Sequence, residues 1–295
     1  MSKIKAGRIF SACLLIYYDC ERLLFMIIAI NYADKSFAKA QKLNLKTAIK
    51  WGADRTIAYT PDDIDEDFKQ INKDILSAKK GNGYYLWKPY FLNKAYKELE
   101  EGDYLIYTDA GSVYVNKIQY LIDCMERENM DIMVFSLENE MLEKKYTKRD
   151  AFVLMDCDSD KYANTPQSIG GYVILKKSDF VEKFIAEDLK YAQDERIISE
   201  LENTQGLPNY EGFVAHRHDQ SVWSLMIKKY GIKRFRDPSQ FGMINHYEKD
   251  VEERSTYPQI IDSHRMNVGS IRELVWRRSK IGKFVYKLKN RLGRK

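Results

Sequence analysis

Short, continuous apolar runs alternate along this 295-residue chain with longer segments whose apolar residues recur at helical spacing. The run at 25–30 is apolar throughout, which is typical of a strand buried on both faces of a parallel sheet. Further strands are predicted at 55–59, 103–109, 131–137 and 170–175, and helices at 36–51, 62–80, 89–99, 117–128, 179–192 and 219–230. This alternation predicts an α/β fold with a mostly parallel sheet flanked by helices.

The chain is long enough for one large domain, and no linker rich in Pro, Gly or Ser divides it. We predict an N-terminal extension at 1–24, a folded domain at 25–271 and a basic tail at 272–295. Apolar residues make up 44% and charged residues 31%, which excludes collagen-like and largely disordered chains. The four Cys include no CxxC pair, which argues against zinc ribbons and iron–sulfur sites. The apolar stretches 9–18 and 23–30 are too short to span a bilayer.

The tail holds most of the positive charge. Residues 272–295 contain ten Lys or Arg and one Glu, whereas the whole chain has a net charge of only +5. The body is therefore mildly acidic, which argues against a general nucleic-acid binder. Apolar residues at 281, 284, 285, 288 and 292 follow helical spacing, which is typical of an interfacial helix on an anionic membrane. We expect a cytoplasmic protein, peripheral at the inner face of the membrane; a solvated tail or a docking helix is the alternative.

The segment 104–111 ends a predicted strand with Asp109, Ala110 and Gly111. Ligands of open α/β sheets lie beyond the carboxyl ends of the strands, so Asp109 is a candidate ligand for a metal or a diphosphate, and Gly111 permits close backbone approach. Asn31 and Tyr32, at the end of the first strand, are candidate residues for binding the same diphosphate-containing ligand. The alternative for Asp109 is a cap of the next turn.

The segment 81–90 places Lys88 within an aromatic cluster just before a predicted helix. It lacks the spacing of a phosphate-binding glycine loop. Lys88 can meet a phosphate, and Trp87 or Tyr85 can stack on a base or sugar. The alternative is an aromatic plug of the core with an incidental lysine.

Two more segments concentrate polar side chains. Residues 216–220 read His-Arg-His-Asp-Gln, and 156–160 read Asp-Cys-Asp-Ser-Asp. Either His216 with His218 or Asp156 with Asp158 would serve a metallohydrolase or phosphatase, which is one alternative function. In a purely structural interpretation, Asp219 caps the N-terminus of a helix and 156–160 is a solvated acidic loop.

The segments 83–90, 102–111 and 216–221, in this order, resemble bacterial glycosyltransferases of the GT-A fold that build surface polysaccharides. The resemblance covers about residues 25–247. It implies a nucleotide-sugar donor bound by Asn31, Tyr32, Trp87, Lys88, Asp109 and Gly111.

A more distant similarity is to the retaining family of glycogenin and the lipooligosaccharide galactosyltransferases. It implies that Gly170, Gly171 and His218 bind the acceptor, that Asp219 and Gln220 are catalytic, and that Asp109 and His246 hold Mn²⁺ or Mg²⁺. Gly111 departs from that family, because it stands where a second Asp would be. This puts strict metal dependence in doubt.

The resemblance implies a hexosyltransferase that uses a UDP-linked sugar and a glycan or lipid-linked glycan acceptor, with retention of configuration. Both stereochemical outcomes remain open on the residues themselves. Gln220 would stabilise the oxocarbenium face in a retaining enzyme, and Asp219 would be the general base in an inverting one. A relative that binds nucleotides or carbohydrates without catalysis is a further possible function.

Overall fold

The computed structural model describes residues 25–283. Its strands are β1 (Ile27–Tyr32), β2 (Arg55–Tyr59), β3 (Tyr104–Thr108), β4 (Ser112–Tyr114), β5 (Ile132–Ser136), β6 (Tyr172–Lys176), β7 (Arg234–Arg236) and β8 (Ile261–Ser263). Six of them form one sheet in the order β2-β1-β3-β6-β5-β7, and β4 pairs with β8. Five strands of the large sheet run parallel, and β6 runs antiparallel to both neighbours. The predicted α/β fold with a mostly parallel sheet is confirmed.

Helices cover both faces of this sheet. They are α1 (Ala38–Lys50), α2 (Glu66–Ile71), α3 (Lys73–Leu76), α4 (Gly81–Tyr84), α5 (Trp87–Tyr96), α6 (Gln119–Arg127), α7 (Glu143–Tyr146), α8 (Arg149–Leu154), α9 (Asp160–Ala163), α10 (Asp179–Ala192), α11 (Glu195–Ile198), α12 (Asp219–Lys229), α13 (Lys249–Arg254) and α14 (Ile271–Arg278). All six residues of β1 are buried. Ile28 and Ile30 belong to one core cluster and Ile27 and Ala29 to another, which explains the continuous apolar run.

The predicted helix at 62–80 is wrong as a single element. The structure has a 3-10 turn at Pro61–Asp63, followed by α2 and α3. The break falls at Asn72, whose side-chain amide donates to the Phe68 carbonyl at 2.9 Å and so competes with the helical backbone.

The helix predicted at 89–99 begins two residues earlier, as α5. Pro89 is its third residue, and a proline there costs nothing because the first-turn N–H groups have no partner within the helix. Trp87 and Lys88 therefore lie on a helix, not in the loop before it. The three-residue strands β4, β7 and β8 were missed, because periodicity is not measurable over three residues.

The predicted boundary between domain and tail falls inside α14. Leu274 of this helix is buried against Leu43, Val113 and Val268, so the first turns of the tail pack on the domain. Of the predicted apolar stripe only Ile281 is described, and it is exposed. The rest of the stripe and the extension at 1–24 lie outside the described residues. Within residues 25–283, no helix combines the length and the apolar character needed to cross a membrane.

Candidate functional site

A cleft of about 890 Å³ lies at one edge of the large sheet. Its floor is formed by the residues that follow β1 and β3 and by those that precede β6. Because β6 runs antiparallel, its start meets the carboxyl ends of the other two strands. This is the edge at which open α/β sheets bind ligands, and the volume is that of a small-molecule site.

Three charged side chains meet in this cleft. Lys88 Nζ lies 2.6 Å from Asp219 Oδ2 and 4.0 Å from Asp109 Oδ1, and it also donates to the Gly170 carbonyl at 2.9 Å. The Tyr107 hydroxyl donates to Asp109 Oδ1 at 2.6 Å. The side chain of Asp109 is 54% exposed, whereas that of Asp219 is 8% exposed. Asp109 therefore faces the cleft, and Asp219 lies behind it in contact with the lysine.

Burial and ion pairing oppose each other at this pair. Burial raises the pKa of Asp219 to about 6, and Lys88 only partly offsets that effect. Burial also lowers the pKa of Lys88, but Asp219 and Asp109 more than compensate, so the pKa of Lys88 is raised overall. At neutral pH the pair is ionic, and its lysine is a cation held between two carboxylates.

A small cavity lies behind this pair. Its volume is about 10 Å³, close to the space of one water, and its lining includes Lys88, Asp188 and Asp219. Asp188 is buried, and its Oδ1 has no hydrogen-bond partner among the described residues. Burial raises the pKa of Asp188 well above its usual range, and the Asp219 carboxylate raises it further. Asp188 is therefore the neutral member of this acidic group.

Gln220 and the two glycines form one packed unit. The Gln220 amide donates to Gln167 Oε1 at 2.7 Å and accepts from the Gly170 backbone N–H at 3.2 Å. A Cβ atom at Gly170 would lie 3.0 Å from Gln220 Cβ, and one at Gly171 would lie 3.0 Å from Asp109 Oδ2. A side chain at either position would be in tight contact with Gln220 or Asp109, so glycine lets these side chains pack closely against the backbone.

Aromatic rings form one wall of the cleft. Tyr32 and Trp87 stack with ring centroids 3.9 Å apart, and Trp87 Nε1 donates to the Gly81 carbonyl at 2.8 Å. Both rings are largely buried, so they offer an edge to the cleft, whereas Tyr85 is 36% exposed. Of these three rings, Tyr85 is consequently the one with free surface for stacking.

The two histidines of the 216–220 segment are held by backbone carbonyls. His216 Nε2 lies 2.8 Å from the Ile197 carbonyl, and its Nδ1 accepts from the Lys148 N–H, which leaves no lone pair for a metal. His218 Nδ1 lies 2.8 Å from the Ile198 carbonyl. Burial lowers the pKa of both imidazoles, so both are neutral.

The acidic segment of the metallohydrolase hypothesis does not reach the cleft. Asp156 and Asp158 are outside its lining, and Asp158 is bound by Arg149 at 2.8 Å and by the Tyr210 hydroxyl at 2.7 Å. These contacts make the segment a structural loop and disfavour a metallohydrolase.

The two predicted metal ligands are not brought together. Asp109 lines the cleft, but His246 is exposed and is not part of the lining, although its neighbours Asn245 and Tyr247 are. Within residues 25–283, no group of three or more His, Cys, Asp and Glu is arranged to hold a metal ion. These residues do not fit a protein-held metal centre. The predicted Mn²⁺ or Mg²⁺ stays a prediction that depends on Asp109.

Most of the remaining predicted site residues line the same cleft. They are Tyr32, Trp87, Lys88, Gly111, Gly170, Gly171, His218, Asp219 and Gln220. Asn31 does not: it is buried, and its amide donates to Asn44 Oδ1 at 2.7 Å, which ties β1 to α1. Its assignment to the donor stays a prediction.

Several lining residues were missed from the sequence. They include Asp34, Arg217, Phe241 and Arg265. Arg217 lies inside a segment that the sequence had singled out, so proximity was a usable signal. Arg265 carries no motif and reaches the cleft only through the pairing of β4 with β8.

No protein family model matches the chain, and neither does any curated protein sequence. Among solved structures, it is similar to mouse xyloside xylosyltransferase 1, with 11% identity, a TM-score of 0.44 and coverage of 83% of this chain and 99% of that one. The bifunctional glycosyltransferase WbbM matches with 10% identity, a TM-score of 0.38 and coverage of 68% and 37%. The galactosyltransferase LgtC, solved with donor and acceptor sugar analogs, matches with 12% identity, a TM-score of 0.44 and coverage of 80% and 86%. Such low values carry no functional conclusion, which must come from the site.

Proposed function

We propose that this protein is a glycosyltransferase that moves a hexose from a UDP-linked donor to a glycan or lipid-linked glycan acceptor. The observation that carries the proposal is the Lys88 ammonium held by Asp219 and facing Asp109 inside a cleft of about 890 Å³. This arrangement offers a cation for a phosphate and carboxylates for a reacting sugar in one space. The sequence resemblance to glycosyltransferases supports the same function.

The transfer has a simple balance of bonds. The bond between the anomeric carbon and the donor phosphate oxygen breaks, and its electron pair leaves with the diphosphate. A new bond forms from the acceptor hydroxyl oxygen to the anomeric carbon, and the hydroxyl proton is released. Negative charge develops on the diphosphate and positive charge on the sugar ring, so the site must stabilise both.

The side chains divide these tasks. We assign Lys88 to the developing charge on the leaving diphosphate and Asp219 to the ring side of the reaction. With a pKa of about 6, Asp219 is a carboxylate at neutral pH, as a group that takes a proton or stabilises a cation must be. The side-chain amide of Gln220 is hydrogen-bonded to Gln167 and Gly170. We therefore assign Gln220 to positioning these neighbours. Retention stays the expected outcome, and NMR of the anomeric proton of the first product tests it.

We assign the remaining residues to the donor or the acceptor from their positions in the lining of the cleft. We propose that Tyr85, Trp87 and Asp109 lie on the donor side and that Gly170, Gly171 and His218 lie on the acceptor side. A divalent ion, if bound by Asp109 and the donor phosphates, would neutralise the diphosphate. The buried, neutral imidazole of His218 suits contact with a neutral sugar hydroxyl.

Asp109→Asn tests this function. We expect the variant to keep its thermal unfolding midpoint, because the side chain is half exposed, and to lose nucleoside diphosphate release from a panel of UDP-sugars by roughly 10²-fold or more. Asp67→Asn, on the exposed side of α2, is the matched control. Normal release by a folded Asp109→Asn protein, or no release by the wild-type protein from any nucleotide sugar, would contradict the proposal.

A further inference from the structure

Two arginines line the same cleft without a carboxylate in direct contact. Neither Arg217 nor Arg265 has a carboxylate within ion-pair distance in residues 25–283, although Glu143 acts on Arg217 and Arg265 acts on Asp237 over a longer range. The Arg217 guanidinium lies 3.8 Å from the centre of the Tyr146 ring and donates to Gln167 Oε1 at 3.3 Å, and both partners are neutral. Arg265 is exposed, and its side chain has no hydrogen bond in the described part of the chain. Both positive charges are thus available to an anion.

The two guanidinium groups are close enough to repel each other. Burial lowers the pKa of Arg217, Tyr146 and Glu143 partly offset that effect, and the positive charge of Arg265 adds to the lowering. A group of negative charge placed between them would relieve this repulsion and form charge-assisted hydrogen bonds with both. Guanidinium groups suit phosphate in particular, because their N–H donors match its oxygens in pairs.

The backbone of Arg265 adopts a conformation that costs free energy. Arg265 has a φ of +54°, a left-handed conformation that is uncommon for residues other than glycine. The N–H groups of His264 and Arg265 both donate to the Gly111 carbonyl, at 3.0 and 2.8 Å. These two bonds hold the strained residue against the loop that follows β3.

The absence of a side chain at Gly111 has a steric reason. A Cβ atom at Gly111 would lie 3.0 Å from Arg265 Cα and 3.4 Å from its backbone nitrogen. A side chain at this position would require the backbone of Arg265 to move by a few tenths of an ångström. Gly111, which stands where a second aspartate was expected, therefore lets the backbone of Arg265 approach the loop that follows β3.

We propose that Arg265 and Arg217 bind the diphosphate of the nucleotide-sugar donor in the same cleft as Lys88. This inference rests on the proposed function, whose donor it places. In this arrangement the two arginines neutralise the diphosphate. A metal ion held with the help of a second carboxylate would otherwise supply that positive charge. Donor binding should consequently persist in EDTA.

Calorimetric titration of the full-length protein with UDP and with inorganic pyrophosphate, in EDTA and in MgCl₂, tests the inference. We expect Arg265→Gln to weaken binding of both probes roughly ten- to hundredfold in either buffer, and Arg265→Lys to restore part of the loss. Gly111→Ala should weaken binding as well, because it displaces Arg265. Arg272→Gln removes the same charge from an exposed position outside the cleft and is the control.

The outcomes separate the two proposals. If the wild-type protein binds UDP but Arg265→Gln binds both probes equally well, the diphosphate assignment is wrong and the proposed function stands. Wild-type binding of UDP that disappears in EDTA overturns the inference in the same way. If the wild-type protein binds neither UDP nor pyrophosphate in either buffer, both proposals fall. Thermal unfolding of each variant shows that the fold is retained.

Discussion

The ion pair between Lys88 and Asp219 dominates the chemistry of the cleft because both groups are almost fully removed from water. Removing one partner of such a pair leaves an uncompensated buried charge, which costs more than the pair contributes when intact. Changes at either residue therefore affect stability as well as catalysis. A variant that keeps the shape of the side chain separates the two effects best.

Asp219→Asn is the first test at this scale. We expect kcat for donor turnover to fall roughly 10²-fold or more, because the amide neither takes a proton nor carries negative charge. In the wild-type protein, kcat/KM should fall as the pH is lowered through about 6, where Asp219 of the free protein becomes protonated. Near-normal turnover by Asp219→Asn, or a rate that does not change across that pH range, would remove Asp219 from the reaction.

Asp188→Asn is predicted to stabilise the protein, and increasingly so as the pH rises. The pKa of Asp188 is raised in the folded state, so the folded protein keeps a proton that the unfolded chain loses above its ordinary pKa. Wild-type stability is therefore lost as the pH rises from the unfolded pKa through the folded one, at about 1.4 kcal/mol for each unit of difference. Asparagine has no titratable proton, so the Asp188→Asn protein does not lose stability in this way as the pH rises.

Urea denaturation at pH 5, 6 and 7 measures the difference between the two proteins. Asp179→Asn, on the exposed side of the same helix, is the matched control. A gain in the free energy of unfolding that does not grow with pH would show that Asp188 is ionised in the folded protein.

At the scale of elements, the buried strands of five or six residues and most helices were predictable, whereas the three-residue strands and the break at Asn72 were not. The position of Asp109 at the end of β3 follows from a run of five buried residues, which local sequence reveals. The pairing of Lys88 with Asp219 joins residues that are 131 positions apart, and no local pattern encodes it. Arg265 reaches the cleft through β8, which has only three residues. Local sequence thus indicated Asp109, Lys88 and Asp219 as site residues. Arg265 is brought into the same cleft only by tertiary contacts.

Helix α14 offers a test of element packing. Leu274 is 3% exposed, so Leu274→Ala should lower the free energy of unfolding by about 2–4 kcal/mol through lost burial and a residual cavity. Val275, the next residue, is 65% exposed, and Val275→Ala should change stability by about 0.5 kcal/mol or less. Equal effects of the two substitutions in urea denaturation would mean that the helix is not docked as described.

The whole molecule combines a mildly acidic body with a strongly basic C-terminal tail. The packing of Leu274 means that a cut after Ile271 would damage the domain, so a tail deletion must begin later. A chain that ends after Lys283 keeps α14 and loses five Lys or Arg residues. This is the variant with which to test membrane binding.

We predict that the full-length protein sediments with anionic liposomes and that the chain ending after Lys283 does so much more weakly. Each basic residue near an acidic surface contributes about 1 kcal/mol, an attraction that salt screens. Binding should decline as the salt concentration rises, and neutral phosphatidylcholine liposomes are the control. Equal sedimentation of the two chains would assign membrane contact to another part of the protein.

The reversed direction of β6 also bears on how the chain is made. In the finished sheet, β6 separates β3 from β5, both of which precede it in sequence. During synthesis from the N-terminus, one edge of β3 and both edges of β5 stay unpaired until residue 172 has left the ribosome, and the second edge of β5 stays unpaired until β7 follows. A nascent chain that stalls before this point presents three apolar strand edges to its neighbours. Stalled fragments of this length should therefore aggregate or bind chaperones, and those that include residue 176 should do so less.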